Sequence, residues 1–153
     1  MVKKILSIAL VLVLMLVLLP VDVYATYEDE NTEVIFLEDG SYIVITVVSS
    51  STRSIYSKNG QKKLVYYDSD NNVSWEANLS ATYIYTGESA TCTTASCSLT
   101  IYDNQWYEIS RSTTRSANAA TTQLTMGLRF LGVTINKPEY TITLTCDKDG
   151  NLS

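Results

Sequence analysis

The chain has 153 residues, three cysteines, no histidine and a formal net charge of −5. Its length allows one domain, and its acidic balance argues against a nucleic-acid partner, because binding to phosphates requires a basic surface. The lack of histidine excludes Ser-His-Asp triads, Cys-His catalytic pairs and histidine-ligated metal sites. We therefore predict no cofactor and no metal site.

The N-terminal residues 1–25 have the pattern of a secretory signal peptide. Lys3 and Lys4 form its positive region, and the run Ile5–Leu19 is apolar apart from one serine. The pattern predicts cleavage after Ala25 and release of residues 26–153 as a single secreted β domain. The alternative is an uncleaved membrane anchor, but a helix over this run extends roughly 22 Å, short of a hydrocarbon core of about 30 Å. We expect no membrane association after cleavage.

Alternation of apolar and polar residues predicts β-strands along the rest of the chain. Tyr42–Val48 is apolar on both faces, which is typical of a central strand. Val73–Tyr85, Ala120–Phe130 and Tyr140–Cys146 each place apolar side chains on one face and polar side chains on the other. The predicted fold class is all-β, an antiparallel β-sandwich of about eight strands, with an up-and-down β-barrel as the alternative.

Short groups of Asp, Asn, Gly, Ser and Pro separate these strands and predict turns. The predicted corners are Glu38–Gly40, Lys58–Gly60, Asp68–Asn72, Thr86–Glu88, Asp103–Asn104, Ser116–Asn118 and Asn136–Pro138. Asp68–Asn72 and Asp147–Asn151 also resemble acidic calcium loops. Neither has the glutamate that such a loop needs at its twelfth position, so turns are predicted at both.

The three cysteines predict one disulfide and one free thiol, because export permits oxidation. Cys92 and Cys97 flank Thr93–Ser96, a length common in hairpin loops, and such a loop would place the two cysteines opposite each other. The favoured pairing is Cys92 with Cys97, which leaves Cys146 buried and free. The alternative pairs Cys146 with Cys92 or with Cys97 and would stabilise the fold more, because it closes a longer loop.

Aromatic side chains are the candidate binding residues. Trp106 and Tyr107 follow a predicted turn, so at least one of these two rings is expected to face water. Tyr66 and Tyr67 are expected to point to opposite faces of one strand. Exposed rings on a β-surface stack on sugars or anchor protein partners. The alternative is that most of these rings fill the core.

Three stretches carry a resemblance to known proteins: Thr32–Tyr42, Tyr83–Cys97 with Trp106, and Cys146–Asn151. Through them the chain resembles a group of small secreted all-β proteins of Gram-positive, gut-type bacteria, over the whole of residues 26–153. The resemblance implies export and an all-β fold, and it carries no activity.

The predicted function is that of a secreted, non-enzymatic β domain that binds an extracellular glycan or protein. One alternative is a glycan hydrolase that uses carboxylates, a reaction that needs no histidine. Glu76 and Glu108 are its candidates, although nothing in the sequence shows that they converge, and no catalytic residue is assigned. The other alternative is a secreted inhibitor with a protruding loop at Cys92–Cys97. A flat aromatic strip favours binding, whereas paired carboxylates in an aromatic cleft favour hydrolysis.

Overall fold

A computed structural model describes residues 31–50 and 56–153. The predicted signal peptide lies outside these ranges. The described residues form the strands β1 (Asn31–Phe36), β2 (Tyr42–Ser50), β3 (Ser57–Tyr67), β4 (Val73–Tyr85), β5 (Ala90–Ile101), β6 (Trp106–Ser116), β7 (Ala119–Phe130), β8 (Val133–Asn136) and β9 (Glu139–Thr145). Over the same ranges, no helix has the length and hydropathy needed to cross a bilayer.

The strands form two separate antiparallel sheets. The larger sheet has the order β1-β2-β3-β4-β5, in which each strand pairs with its neighbour in sequence. In the smaller sheet β7 is central, with β6 on one side and both β8 and β9 on the other. The sheets pack face to face and do not close on one another. The predicted β-sandwich is therefore confirmed, and the barrel alternative is wrong.

The central strand β4 shows why the sequence forms a sandwich. Its inward face is buried from Trp75 to Tyr83, whereas its outward face carries mostly polar residues of intermediate exposure. The buried residues are Trp75, Ala77, Leu79, Ala81 and Tyr83. Side chains alternate between the two faces of a strand, so this spacing fixes which face packs on the smaller sheet. The bounds of β4 match the predicted Val73–Tyr85.

Aromatic rings fill the core between the sheets at one end. The Tyr66 ring stacks on Trp75 with a centroid distance of 5.6 Å and tilts against Trp106 at 4.9 Å. Tyr140, from β9, packs on Trp75 at 5.0 Å. These rings join both sheets, and such pairs contribute about 0.5–1.5 kcal/mol each beyond their buried area.

The predicted Cys92–Cys97 disulfide is wrong, because no hairpin lies between the two residues. Both belong to the single strand β5, and a β-bulge at Thr93 keeps both on its inward side. Five residues of extended chain separate their Cα atoms by roughly 16 Å, whereas a disulfide requires less than about 7 Å. Cys92, Cys97 and Cys146 are free thiols in this structure.

The predicted corner at Lys58–Gly60 is also wrong, because these residues lie inside β3. Gly60 is needed there for space: the Leu152 side chain occupies the position that a Cβ atom would take, and Leu144 lies 3.2 Å from it. A glycine inside a strand commonly marks this kind of close approach.

Candidate functional site

The two ends of the sandwich differ in their chemistry. We call the end formed by the turns after β1, β3, β5 and β7 the acidic end, because aspartates occupy three of these turns. The opposite end carries the turns after β4 and β6 and the C-terminal residues 146–153. The candidate site lies at the acidic end.

A cavity of about 280 Å³ opens between the turns of the acidic end. Four aspartates line it, and among the described residues that line it no side chain is positively charged. Tyr66 and Trp106, whose rings are otherwise buried in the core, also line it. The full lining is Asp39, Ser41, Tyr66, Asp68, Ser69, Asp70, Ser74, Asp103, Gln105, Trp106 and Leu128.

The aspartates are placed by the turns they build. Asp39 accepts hydrogen bonds from the backbone N–H and the hydroxyl of Ser41. Asp68 accepts hydrogen bonds from the backbone N–H groups of Asp70 at 2.9 Å and Asn72 at 2.8 Å. Donation from Ser41 lowers the pKa of Asp39, and donation chiefly from Asn72 lowers the pKa of Asp68. Both carboxylates are therefore ionised at neutral pH, and the cavity is electronegative.

Tyr66 is fixed in the lining of the cavity by a hydrogen bond. Its hydroxyl donates to the Ser41 Oγ atom at 2.9 Å, and both residues are buried. Burial raises the pKa of Tyr66, so its hydroxyl keeps its proton. Asp39, Ser41 and Tyr66 thus form a continuous polar connection from the first turn to the ring.

The structure does not bring the four predicted binding residues together. Tyr66 and Trp106 are 7% and 6% exposed and pack in the core, so neither offers an open ring to solvent. As predicted, Tyr66 and Tyr67 point to opposite faces of β3, and Tyr67 lies on the outer face of the larger sheet. Tyr107 lies on the smaller sheet instead.

Tyr107 is occupied on both sides of its ring. One side lies over Gly127, where a Cβ atom would collide with it, and the Arg129 guanidinium sits 3.8 Å from the ring centroid. Its hydroxyl hydrogen-bonds the Thr134 Oγ1 atom at 2.7 Å. That bond and Arg129 lower the pKa of Tyr107. The ring is thus half-buried within its own sheet, and the expectation that it serves a ligand has no support from its contacts.

Tyr67 belongs to an aromatic strip that sequence reasoning missed. The strip consists of Phe36, Tyr42 and Tyr67, which sit side by side on β1, β2 and β3. Tyr42 stacks on Tyr67 with a centroid distance of 4.7 Å and an angle of 7°, and Phe36 follows at 5.7 Å. The Tyr42 and Tyr67 rings cover each other's faces, and the Phe36 ring is tilted at 45° to Tyr42, so this strip differs from a flat platform for sugars. The sequence signal that could have found the strip is the predicted turn at Glu38–Gly40, because a tight hairpin there sets Phe36 opposite Tyr42.

Several large apolar side chains are exposed on the strand ends and turns of the acidic end, and we call this set the apolar rim. Leu131 is 88% exposed at the tip of the β7–β8 turn, and Phe36 is 76% exposed on β1. The other exposed large apolar residues at this end are Leu37, Ile101, Tyr102, Phe130, Val133 and Ile135. At the opposite end the described residues include Tyr56 and Ile84 as exposed residues of this class. The sequence signal for part of this apolar rim was the run Phe130–Val133, which is apolar around Gly132.

The carboxylates considered for hydrolysis do not converge. Glu76 lies on the larger sheet and pairs with Lys63 at 2.8 Å, whereas Glu108 lies on the smaller sheet and pairs with Arg111 at 3.5 Å. The described ranges contain no group of three or more acidic or thiol side chains arranged to hold a metal ion.

The two segments that resembled calcium loops are turns with the same hydrogen bonds. Asp147 accepts the backbone N–H groups of Asp149 and Asn151, as Asp68 does for Asp70 and Asn72. The prediction of turns is therefore confirmed at both places.

Comparisons of this chain with protein-family models, with curated proteins and with solved structures gave no match.

Proposed function

We propose that this chain is a binding domain that acts outside the cell and that its ligand docks at the acidic end. Export is supported by the charged and apolar pattern of residues 1–25. Docking at the acidic end is supported by the number of exposed large apolar side chains on the strand ends and turns there, at the same end as the cavity.

The rim of apolar side chains is the observation that carries the proposal. Large apolar groups exposed together, and bordered by polar groups, are typical of a surface that another molecule covers. Leu131, Val133 and Ile135 are aliphatic, and aliphatic side chains pack on a protein surface better than on a sugar ring. We therefore favour a protein partner with apolar contact residues and a basic group that enters the electronegative cavity.

A glycan is the second candidate, favoured by the lining of the cavity itself. Tyr66 and Trp106 supply ring surface, while Asp103 and Gln105 supply groups that hydrogen-bond sugar hydroxyls. A pocket with aromatic walls and a few convergent polar groups is an ordinary small-ligand site. The small exposed fraction of both rings makes this candidate the weaker one.

The alternative functions have less support. A glycosidase needs one carboxylic acid with a raised pKa as the proton donor. Asp39 and Asp68, in the acidic cavity, instead have lowered pKa values. The inhibitor alternative relied on a protruding loop between Cys92 and Cys97, where the structure has a continuous strand.

The test uses fluorescently labelled protein on intact bacterial and plant cells, before and after protease or periodate treatment. A protein partner predicts saturable binding that protease abolishes and periodate spares. The variant Leu131→Asn is expected to weaken binding at least about tenfold, because hot-spot side chains at interfaces contribute about 1.4 kcal/mol or more. Leu131 has a φ of 50°, which asparagine tolerates well, so the fold is retained.

The matched control is Ile84→Thr, which removes an exposed apolar side chain at the opposite end. It is expected to bind as the unchanged protein does. Binding that survives protease but not periodate, and that falls on Asp103→Asn, would replace the protein partner by a glycan. Equal binding by the Leu131→Asn and Ile84→Thr variants would remove the acidic end as the site.

A further inference from the structure

Two buried cysteines lie at the opposite end of the sandwich, one from each sheet. Cys92 lies near the start of β5 in the larger sheet and is 6% exposed. Cys146 directly follows β9 of the smaller sheet and is fully buried. Both belong to the same core cluster, and both are free thiols.

The backbones of both cysteines are attached to consecutive residues of one turn. The Cys92 N–H donates to the Ala117 carbonyl at 2.7 Å, and the Cys146 N–H donates to the Asn118 carbonyl at 3.0 Å. The Asn118 side chain also donates to the Cys146 carbonyl at 2.8 Å. The backbones of both cysteines, one from each sheet, are therefore bonded to the same β6–β7 turn.

Tyr83 links the strand of Cys92 to the strand that precedes Cys146 through its side chain. It is the cross-strand partner of Cys92 in β4, and its hydroxyl donates to the Leu144 carbonyl at 2.6 Å. Leu144 precedes Cys146 by two residues and shares its buried face. Burial raises the pKa of both thiols, and the fields of Asp147 and, to a smaller extent, Cys92 raise the pKa of Cys146 further.

Cys97 stands apart from this pair. It lies five residues further along β5, roughly 16 Å from Cys92 by strand rise, and it is partly exposed. Its carbonyl accepts a hydrogen bond from Arg111 at 2.9 Å, which ties it to the middle of β6. It is therefore the natural control residue.

We propose that Cys92 and Cys146 are the site of a disulfide that joins the two sheets. The oxidant is a second disulfide, either of an exported thiol–disulfide oxidoreductase or of glutathione. One cysteine thiolate attacks a sulfur of the oxidant, which forms a mixed disulfide and releases one thiol. The other cysteine then attacks the mixed disulfide and releases the second thiol, so the pair loses two electrons and two protons to the oxidant.

The raised pKa values of the thiols give this cross-link a kinetic property. The thiolate is the attacking species, and only a small fraction of a buried thiol with a raised pKa is ionised at neutral pH. Oxidation of the folded protein is therefore slow, and a bond once formed is equally sheltered from external reductants. The cross-link forms fastest before the core closes.

The test is to refold the purified protein with a mixture of oxidised and reduced glutathione, trap free thiols with iodoacetamide and map the bonds by peptide mass spectrometry. The expected result is a Cys92–Cys146 peptide pair and one alkylated thiol at Cys97. The unfolding temperature is expected to rise by roughly 10 °C over the reduced protein. Addition of dithiothreitol to the unfolded protein is expected to abolish the increase.

Serine variants distinguish this pair from the two pairings that include Cys97. Cys97→Ser is expected to keep the peptide pair and the higher unfolding temperature, whereas Cys92→Ser and Cys146→Ser are expected to lose both. Three alkylated thiols after refolding, or a bond that includes Cys97, would overturn the proposal. Peptide mapping of the unchanged protein gives the pairing even where a variant fails to fold.

Discussion

The acidic end and the opposite end satisfy their backbone groups in different ways. At the acidic end the turns after β1 and β3 are closed by local hydrogen bonds: Asp39 accepts from Ser41, and Asp68 accepts from Asp70 and Asn72. At the opposite end the turn after β4 also bonds to the C-terminal residues, as between the Gly87 N–H and the Lys148 carbonyl at 2.9 Å. The turns after β1 and β3 complete their own hydrogen bonds, and a cavity lies between them and the turn after β5.

The opposite end is closed by the same long-range contacts. Thr145 and Ser153 exchange backbone hydrogen bonds at 2.8 and 3.1 Å, so the C-terminal residues cover the end of β9. Gly150 lies so near the Tyr85 ring that a Cβ atom would be 2.8 Å from it. The opposite end is thus closed by contacts between its turn and the C-terminal residues, whereas the acidic end keeps an open cavity.

The largest expected effect on stability is at the bottom of the acidic cavity. Trp106→Ala removes a ring that packs on Tyr66 and Trp75, and we expect it to lower the free energy of unfolding by about 3–5 kcal/mol, measured by urea denaturation. Tyr102→Ala, at an exposed position of the same end, is expected to cost less than about 1 kcal/mol. A similar loss of unfolding free energy for both variants would mean that the Trp106 ring, which lines the cavity, is not packed in the core.

A pair of glycine variants measures the difference in packing between the ends. Gly150 and Gly132 have φ values of 87° and 81°, so alanine costs about 1–2 kcal/mol of backbone strain at either position. Gly150→Ala also meets the Tyr85 ring, and we expect an additional cost of roughly 1–3 kcal/mol. At Gly132 nothing lies within 4 Å of the added Cβ atom. Equal melting temperatures for the two variants would contradict the close packing at Gly150.

Acid is expected to weaken both ends alike. Hydrogen bonds from Asn72 lower the pKa of Asp68, and hydrogen bonds from Asn151 lower the pKa of Asp147. A lowered native pKa stabilises the fold above the unfolded-state value of about 3.9, and this stabilisation is lost as the pH falls through the native value.

We therefore expect the melting temperature to decrease when the pH is lowered below about 4. Asp68→Asn and Asp147→Asn are each expected to make that fall shallower by a similar amount, because the two turns have the same backbone bonds. Asp149→Asn, whose carboxylate binds the exposed Lys148 side chain, serves as the control. A large effect at one turn alone would show that the two turns are not equivalent.

The smallest expected effect lies between the ends, on the outer face of the larger sheet. Lys63→Gln breaks the exposed ion pair with Glu76, and we expect a loss of less than about 1 kcal/mol in the free energy of unfolding. High salt is expected to remove the difference, because it screens exposed charges. A larger loss of unfolding free energy that does not depend on salt would indicate that this ion pair stabilises the fold more than an exposed pair does.

The strand pattern could be predicted where alternation was strong. Val73–Tyr85 matched β4, and Ala120–Phe130 differed from β7 by one residue, because one buried and one wet face leave a period of two in the sequence. The predicted turn at Lys58–Gly60 and the predicted hairpin loop at Thr93–Ser96 were wrong, because both segments lie inside strands. Gly60 has its role only through Leu144 and Leu152, which lie far away in the chain, and no local pattern contains that contact.

The site was harder to predict than the fold. The aspartates were correctly assigned to turns, but only the topology brings Asp39, Asp68 and Asp103 around one cavity. Trp106 follows a turn as a surface residue would, yet β6 starts with its inward face, which buries the ring. The depth of a side chain depends on which sheet covers it, and that is not a local property.

The edge strand β1 has a consequence for handling the protein. All six of its residues are exposed, its pairing with β2 has no bulge, and its sequence contains neither proline nor lysine. By contrast, the edge strand β5 has its Cys92 N–H and Cys97 carbonyl bonded to Ala117 and Arg111. An exposed edge strand offers unpaired backbone groups to further extended chains, and we expect such pairing to lower the solubility of the protein at high concentration. Val34→Lys is expected to raise the solubility, because it places a charge on this edge outside the core.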